Sequence, residues 1–195
     1  ALEEILPAIE DSLRGVKRIS KIVGSMKSFA HPGESAFEAK DLNEVLEDAI
    51  TLSTNEWKYV ASMEKNLAED LPAIPCQTVE LSQVFLNLIV NAADAVKSKF
   101  SEDSGDGLGR LSVSTGLQGS WVVVRIADNG TGAPEHVSGR IFDPFFTTKE
   151  VGKGSGQGLA MAYDVIVRGH SGTIDFDTTE GEGTTFVIRL PVSRG

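Results

Sequence analysis

The sequence predicts an α/β (α+β) two-layer sandwich, a mixed β-sheet with helices on one face, preceded by one long N-terminal helix. Three observations point there. Apolar residues recur at steps of three and four over the first 30 positions, element types alternate after residue 34, and segment 128–158 holds seven glycines with little periodicity. The 195 residues suffice for one sizeable domain with a helical appendage, and 41% apolar with 24% charged residues is an ordinary globular composition. With 18 basic against 28 acidic groups the net charge is −10, which argues against nucleic acid as a partner. The single cysteine, Cys76, excludes internal disulfides and a cysteine-based zinc site, and suggests a reduced, cytoplasmic compartment. No apolar run approaches the roughly 18 to 20 residues of a membrane span, so no membrane segment is expected here, although a parent protein could be membrane-anchored.

The first element is the stripe Leu2, Leu6, Ile9, Leu13, Val16, Ile19, Val23, Met26 and Ala30, heptad-like along one helix. Such a helix needs a partner for its stripe, either the rest of this chain or, as we prefer, a second helix in a dimerising hairpin. Residues 1–33 carry five basic and four acidic groups (net +1), and residues 34–195 carry 13 and 24 (net −11). The break falls at His31-Pro32-Gly33, a plausible domain boundary. A short strand is expected near Ala36–Lys40, a helix from Asp41 or Leu42 to Ser53, and a strand over Tyr59–Leu67. After the proline-containing loop 71–75, a long helix runs from Thr78 to Lys99 with Val84, Leu88, Ala92 and Ala95 on one side. Segment 101–109 is a loop, and 110–117 and 120–127 read as strands joined at Gln118-Gly119. A helix from Leu159 to about Arg168 and strands over 172–178 and 184–191 complete the order.

Three constellations carry chemistry. Asn87, Asn91 and Asp94 fall on one face of the long helix at i, i+4 and i+7. Asn disfavours helix interiors, and its side-chain oxygen can serve as one ligand of a hexacoordinate Mg²⁺. Two Asn residues bonding a neighbouring loop would give the same pattern, and taken alone that reading is preferred. Asp128-Asn129-Gly130-Thr131-Gly132 follows an apolar strand. Its carboxylate could accept from an adenine amine, or the segment could be a plain Asp-Asn-Gly turn. Gly152-Lys153-Gly154-Ser155-Gly156-Gln157-Gly158 opens into an apolar helix, offering free N–H groups to phosphate, with Lys149 and Lys153 adding charge.

In that order the three resemble the nucleotide-binding domain of sensor histidine kinases, within the superfamily of DNA gyrase, a heat-shock chaperone class and mismatch-repair ATPases. Ile141-Phe-Asp-Pro-Phe-Phe-Thr-Thr-Lys149 resembles its F-box, and Gly181-Glu-Gly-Thr-Thr-Phe186 its last glycine box. The resemblance implies ATP and Mg²⁺ as cofactors. It implies that Asn91 holds the metal, that Asp128 binds adenine, and that Gly130 and Gly132 let the base seat. It places Asp94, Phe145, Leu159 and Thr184 around the nucleotide and Gly154, Gly156 and Gly158 by the phosphates. Residues 133–158 would form a mobile lid hinged or anchored by Phe142, Phe145 and Phe146. Gln157 departs from the pattern, standing where an apolar residue is usual.

Asn87, Asn91, Lys149 and Lys153 are the residues expected at the reacting end. In ATP-hydrolysing relatives a Glu occupies the position of Asn87 and orients the attacking water, whereas Asn cannot act as a base. That favours a histidine kinase, passing the γ-phosphate to an imidazole, over a hydrolase. His31 precedes a proline, His136 lies in a loop and His170 ends a helix, so none is expected to be the acceptor. The implied organisation is residues 1–33 as the second helix of a phosphoacceptor and dimerisation hairpin, and 34–195 as the catalytic domain. The acceptor histidine would lie on a helix outside this chain. The implied partners are that helix, a second copy and a response-regulator receiver aspartate. A catalytically silent nucleotide-binding module, and an ATPase or serine kinase of the same superfamily, stand as alternatives.

Overall fold

The structure is a computed structural model that describes residues 36–100, 107–149 and 154–193. The helix expected over 1–30 and the residue Lys153 lie outside the described residues. The described chain begins with β1 (Glu38–Lys40), α1 (Leu42–Leu52) and a short α2 (Thr54–Trp57), then β2 (Ala61–Asn66) and β3 (Ile74–Cys76). Asp41 caps α1 by accepting the Asn43 backbone N–H at 2.8 Å. Leu42, Val45, Leu46, Ala49 and Ile50 then form one buried face at helical spacing. β3 was not expected among prolines. It is a three-residue strand that pairs only with β1, antiparallel, which tolerates Pro75.

The long helix α3 (Thr78–Lys99) has the predicted limits. Leu81, Val84, Phe85, Leu88, Ile89, Ala92, Ala93 and Val96 form its buried side. By length and composition it could cross a membrane, but its apolar face is spent on α1 and the sheet. β4 (Gly109–Gln118) and β5 (Trp121–Asp128) form a hairpin, followed by the short α4 (Glu135–Ser138). The helix after the glycine loop is α only over α5 (Gly158–Tyr163) and widens into a π-helical stretch (Asp164–Gly169) before β6 (Thr173–Thr179) and β7 (Gly183–Pro191).

The main sheet is mixed, with order β2-β4-β5-β7-β6: β2 and β4 are parallel and the other pairs antiparallel. Alternation sends Val122, Val124 and Ile126 of β5 and Phe186, Ile188 and Leu190 of β7 toward α1, α3 and the helix after the glycine loop. This is the two-layer architecture predicted. It places the end of β5 beside the last turns of α3, because the Asn129-to-Thr131 turn hydrogen-bonds back to both β4 and α3.

Candidate functional site

Asp128 is the last residue of β5, paired in register with Thr184 of β7. Its Oδ1 accepts the Gly130 N–H at 2.8 Å. Burial pushes the carboxyl up to about 6, while hydrogen bonds from the Gly130 and Thr184 backbone and the Lys99 charge pull the other way. A half-buried carboxylate at a strand end is an acceptor that a ligand N–H group can reach. The neighbouring turn is clamped. Asn129 donates its N–H to the Arg110 carbonyl (3.2 Å) and accepts the Arg110 N–H on Oδ1 (2.7 Å), and Lys99 Nζ donates to the Asn129 carbonyl at 2.8 Å. Gly130 then lies so close to α3 that a Cβ would sit 2.5 Å from the Ala95 carbonyl carbon, and the Thr131 N–H reaches the Ala95 oxygen at 3.3 Å.

Gly132 abuts Thr179, and a Cβ there would strike the Thr179 carbonyl. Thr178 ties this corner together. Its hydroxyl accepts the Ala133 N–H (2.9 Å), donates toward the Gly183 carbonyl (3.2 Å) and meets the Thr184 hydroxyl (2.9 Å). Asp128, Thr178 and Thr184 line a cleft of about 210 Å³ together with the β6–β7 turn. That is smaller than the ~300–1,000 Å³ of whole ligand sites, so it suits one part of a ligand.

On α3, Asn91 and Asp94 share a face as their spacing requires, and Lys149 joins them. Lys149 Nζ lies 2.5 Å from Asp94 Oδ2 and 3.3 Å from Asn91 Oδ1. The position between an amide oxygen and a carboxylate thus already holds a cation, and oxygen donors of this kind suit Mg²⁺. Among the described residues no three His, Cys, Asp or Glu side chains cluster, so a metal at Asn91 would take its remaining ligands from phosphate and water. Asn87, one turn earlier, accepts from Gln83 Nε2 at 3.1 Å.

The glycine loop closes on these groups. A Cβ on Gly158 would lie 3.7 Å from the Asn87 side chain, and one on Gly154 would lie 2.7 Å from Thr147 Oγ1 and 3.3 Å from Lys149. Leu159, partly buried, packs against the main core. Phe142 packs on Tyr163 and Phe176, with centroids 5.5 and 5.8 Å away, whereas Phe146 lies under Arg140. Phe145 alone of the three points outward, 72% exposed.

The site residues therefore fall into local sets. Gly130 and Thr184 flank Asp128, with Gly132 close to Gly183 and Thr179. Asn91 and Asp94 of α3 meet Lys149. The glycine loop brings Gly154 to Lys149, Gly156 to Phe145 and Gly158 to Asn87, ahead of the core residue Leu159. Sequence reasoning missed Thr178, Asn129 and Lys99; only the Asp-Asn-Gly run hinted at Asn129. His170 is buried, accepting the Gln77 N–H on Nε2 at 3.0 Å with Nδ1 2.8 Å from the Val165 carbonyl. It closes a helix end, as its position suggested.

Residues 76–194 match the family described as Histidine kinase-, DNA gyrase B-, and HSP90-like ATPase. Sporulation kinase E of Bacillus subtilis (strain 168) is 32% identical over 178 residues, which are 91% of this chain and 23% of that protein. Sensor histidine kinase ZraS of Escherichia coli (strain K12) is 32% identical over 177 residues, 90% of this chain and 36% of that protein. The chain thus spans well under half the length of these relatives. The solved catalytic domain of histidine kinase ThkA is 25% identical with a TM-score of 0.64, covering 80% of this chain and 96% of that one. Full-length ShkA, solved in complex with AMPPNP, shares the fold with a TM-score of 0.70 at 23% identity, covering 91% of this chain and 36% of that one.

Proposed function

Because the chain belongs to the histidine kinase-, DNA gyrase B- and HSP90-like ATPase family, we propose that it is the catalytic domain of a sensor histidine kinase. In this reading it binds Mg²⁺·ATP and transfers the γ-phosphate to a histidine outside this chain. A receiver-domain aspartate then takes the phosphate, and the parent acts as a homodimer. The observation that carries the reading is the half-buried Asp128 carboxyl beside Gly130. It is an acceptor-only group at a strand end that already takes backbone N–H groups, and an adenine amine would be a further donor to it.

The residues divide the work. Asp128 and the Thr178–Thr184 hydroxyl pair orient the base. Gly130 and Gly132 let backbone and ring approach. Gly154, Gly156 and Gly158 bring backbone N–H groups to the phosphates, and Lys149 contributes charge. Asn91 would hold the Mg²⁺, which when bound neutralises phosphate charge. Asn87 holds no proton-accepting group, so the chain positions the phosphoryl group without activating water. With both ring nitrogens engaged, His170 is no acceptor.

Calorimetric titration with Mg²⁺·ATP tests the binding step: the natural sequence binds, and Asp128→Asn does not. Unchanged affinity in that variant refutes the base assignment. Labelled ATP given to the parent protein should leave an acid-labile phosphohistidine. Rapid phosphate release without any acceptor would identify a hydrolase instead.

A further inference from the structure

Lys149 and Asp94 are 55 residues apart in sequence and belong to different elements, yet they form the tightest ion pair among the described residues at 2.5 Å. The pair is not a buried structural bridge, since the two side chains are 34% and 45% exposed. Nor is Lys149 merely swinging in solvent. Asn91 Oδ1 takes a second of its three N–H donors, at 3.3 Å, which leaves one donor of the ammonium uncommitted by these side chains. Its own backbone is ordered locally, because the Lys149 N–H donates to Thr147 Oγ1 at 3.2 Å, and Gly154 abuts both residues. The contact therefore ties the end of the segment that starts at Arg140 to the face of α3 that carries Asn91.

We propose that Asp94 is a positioning residue that acts through Lys149. It parks the ammonium beside Asn91, and it retains the lysine when Asn91 is needed elsewhere. The inference rests on the nucleotide-binding reading above for its purpose, while the latch itself rests on the Lys149–Asp94 geometry alone. Two cations cannot share the Asn91 oxygen without repulsion. Were Asn91 to hold a divalent ion, Lys149 would give up its weaker 3.3 Å contact there, and its 2.5 Å contact to Asp94 would keep the ammonium within the site with donors free for phosphate. Because the pair is part-exposed, its hold is modest.

The test uses the full chain without nucleotide. Hydrogen exchange of the amides over residues 145–149 should accelerate about two- to five-fold in Asp94→Asn and in Lys149→Met, the range an exposed ion pair supports. The double variant should exchange no faster than either single one, and Asp94→Glu should restore part of the protection. In parallel, Asp94→Asn should weaken Mg²⁺·ATP binding when Lys149 is present and have no further effect in the Lys149→Met background. Unchanged exchange in both single variants, or additive effects of the two substitutions on affinity, would overturn the proposal. If the natural chain fails to bind Mg²⁺·ATP while the exchange pattern appears as described, the latch stands and the nucleotide reading falls.

Discussion

Phe145 donates its backbone N–H to the Gly156 carbonyl at 2.9 Å, and both residues sit at left-handed φ, 67° and 64°. This crossing joins the F-box-like segment to the glycine loop. The Phe145 carbonyl carbon and oxygen fill the space where a Gly156 Cβ would stand, the oxygen 2.6 Å from it. A side chain at Gly156 meets backbone on one side and unfavourable φ on the other. Gly156→Ala should therefore destabilise the chain by about 2 kcal/mol or more and loosen the loop. Denaturant unfolding measures the first effect; an unchanged midpoint would show that the crossing is not a fixed joint.

Phe145 bears left-handed strain of about 1–2 kcal/mol while burying little of its ring. Asn tolerates that conformation far better. Phe145→Asn should leave the unfolding midpoint unchanged or raise stability by up to about 1 kcal/mol. A clear loss of stability would mean that the ring is more important to packing than its exposure indicates.

Gly130 is limited by space and not by φ. A methyl there would press on the Ala95 carbonyl and the Val96 nitrogen, 2.5 and 2.7 Å away, and α3 backbone cannot yield cheaply. Gly130→Ala should cost about 1–3 kcal/mol, and by moving the N–H that Asp128 accepts it should weaken Mg²⁺·ATP binding at least about ten-fold. Calorimetry at matched folded fraction separates the two effects.

Asp128 links pH to both stability and binding, with opposite signs. Its carboxyl titrates near 6 in the fold against 3.8 as a free side chain, so the folded state binds the extra proton between those values. Its contribution to stability is fullest below pH 4 and is lost as pH rises through 6, a cost on the order of 3 kcal/mol at neutrality. Nucleotide binding needs the ionised acceptor and so runs the other way. From pH 7.5 to 5, affinity for ATP should fall about ten-fold as the carboxyl takes up its proton. Calorimetry across that range decides it, and a flat profile in the natural chain would exclude the ionised carboxyl as the acceptor.

What the sequence revealed depended on whether a contact is local. The limits of α3 were legible because Thr78 to Lys99 keeps one apolar face through its whole length, and the strands β4 to β7 were legible from alternation and their turns. β3 was hidden by Pro72 and Pro75, since its pairing with β1 is a tertiary event. The widening of the second helix half into π turns was equally invisible. There His170, five residues on, comes to the Val165 carbonyl and the Gly172 N–H returns to Ile166 at 2.8 Å. Within the site, Asp128 and Asn91 were found as motif residues. The clamp of Asn129 on Arg110 and the meeting of Lys149 with Asp94 span 19 and 55 positions, and no local pattern encodes them.

His170 provides the last test, because burial and chemistry give it a single role. It is 3% exposed, its Nε2 accepts the Gln77 N–H at the start of α3, and its ring stacks at a tilt on Phe37, 5.1 Å between centroids. The Gln77 N–H leads into the helix that carries Asn87, Asn91 and Asp94, so the ring ties the end of the π-helical stretch to the helix bearing the site. His170→Phe keeps an aromatic of similar shape beside Phe37 but leaves the Gln77 N–H and the Val165 carbonyl without the ring nitrogens. The expected cost is about 2–4 kcal/mol in urea unfolding, from lost bonds and stranded polar groups. Affinity for Mg²⁺·ATP per folded molecule should stay within about two-fold, because no ring atom faces the cleft lined by Asp128 and Thr184. If His170 instead received phosphate, the variant would abolish phosphohistidine formation in the parent protein while its stability stayed unchanged, the reverse of the pattern its two hydrogen bonds predict.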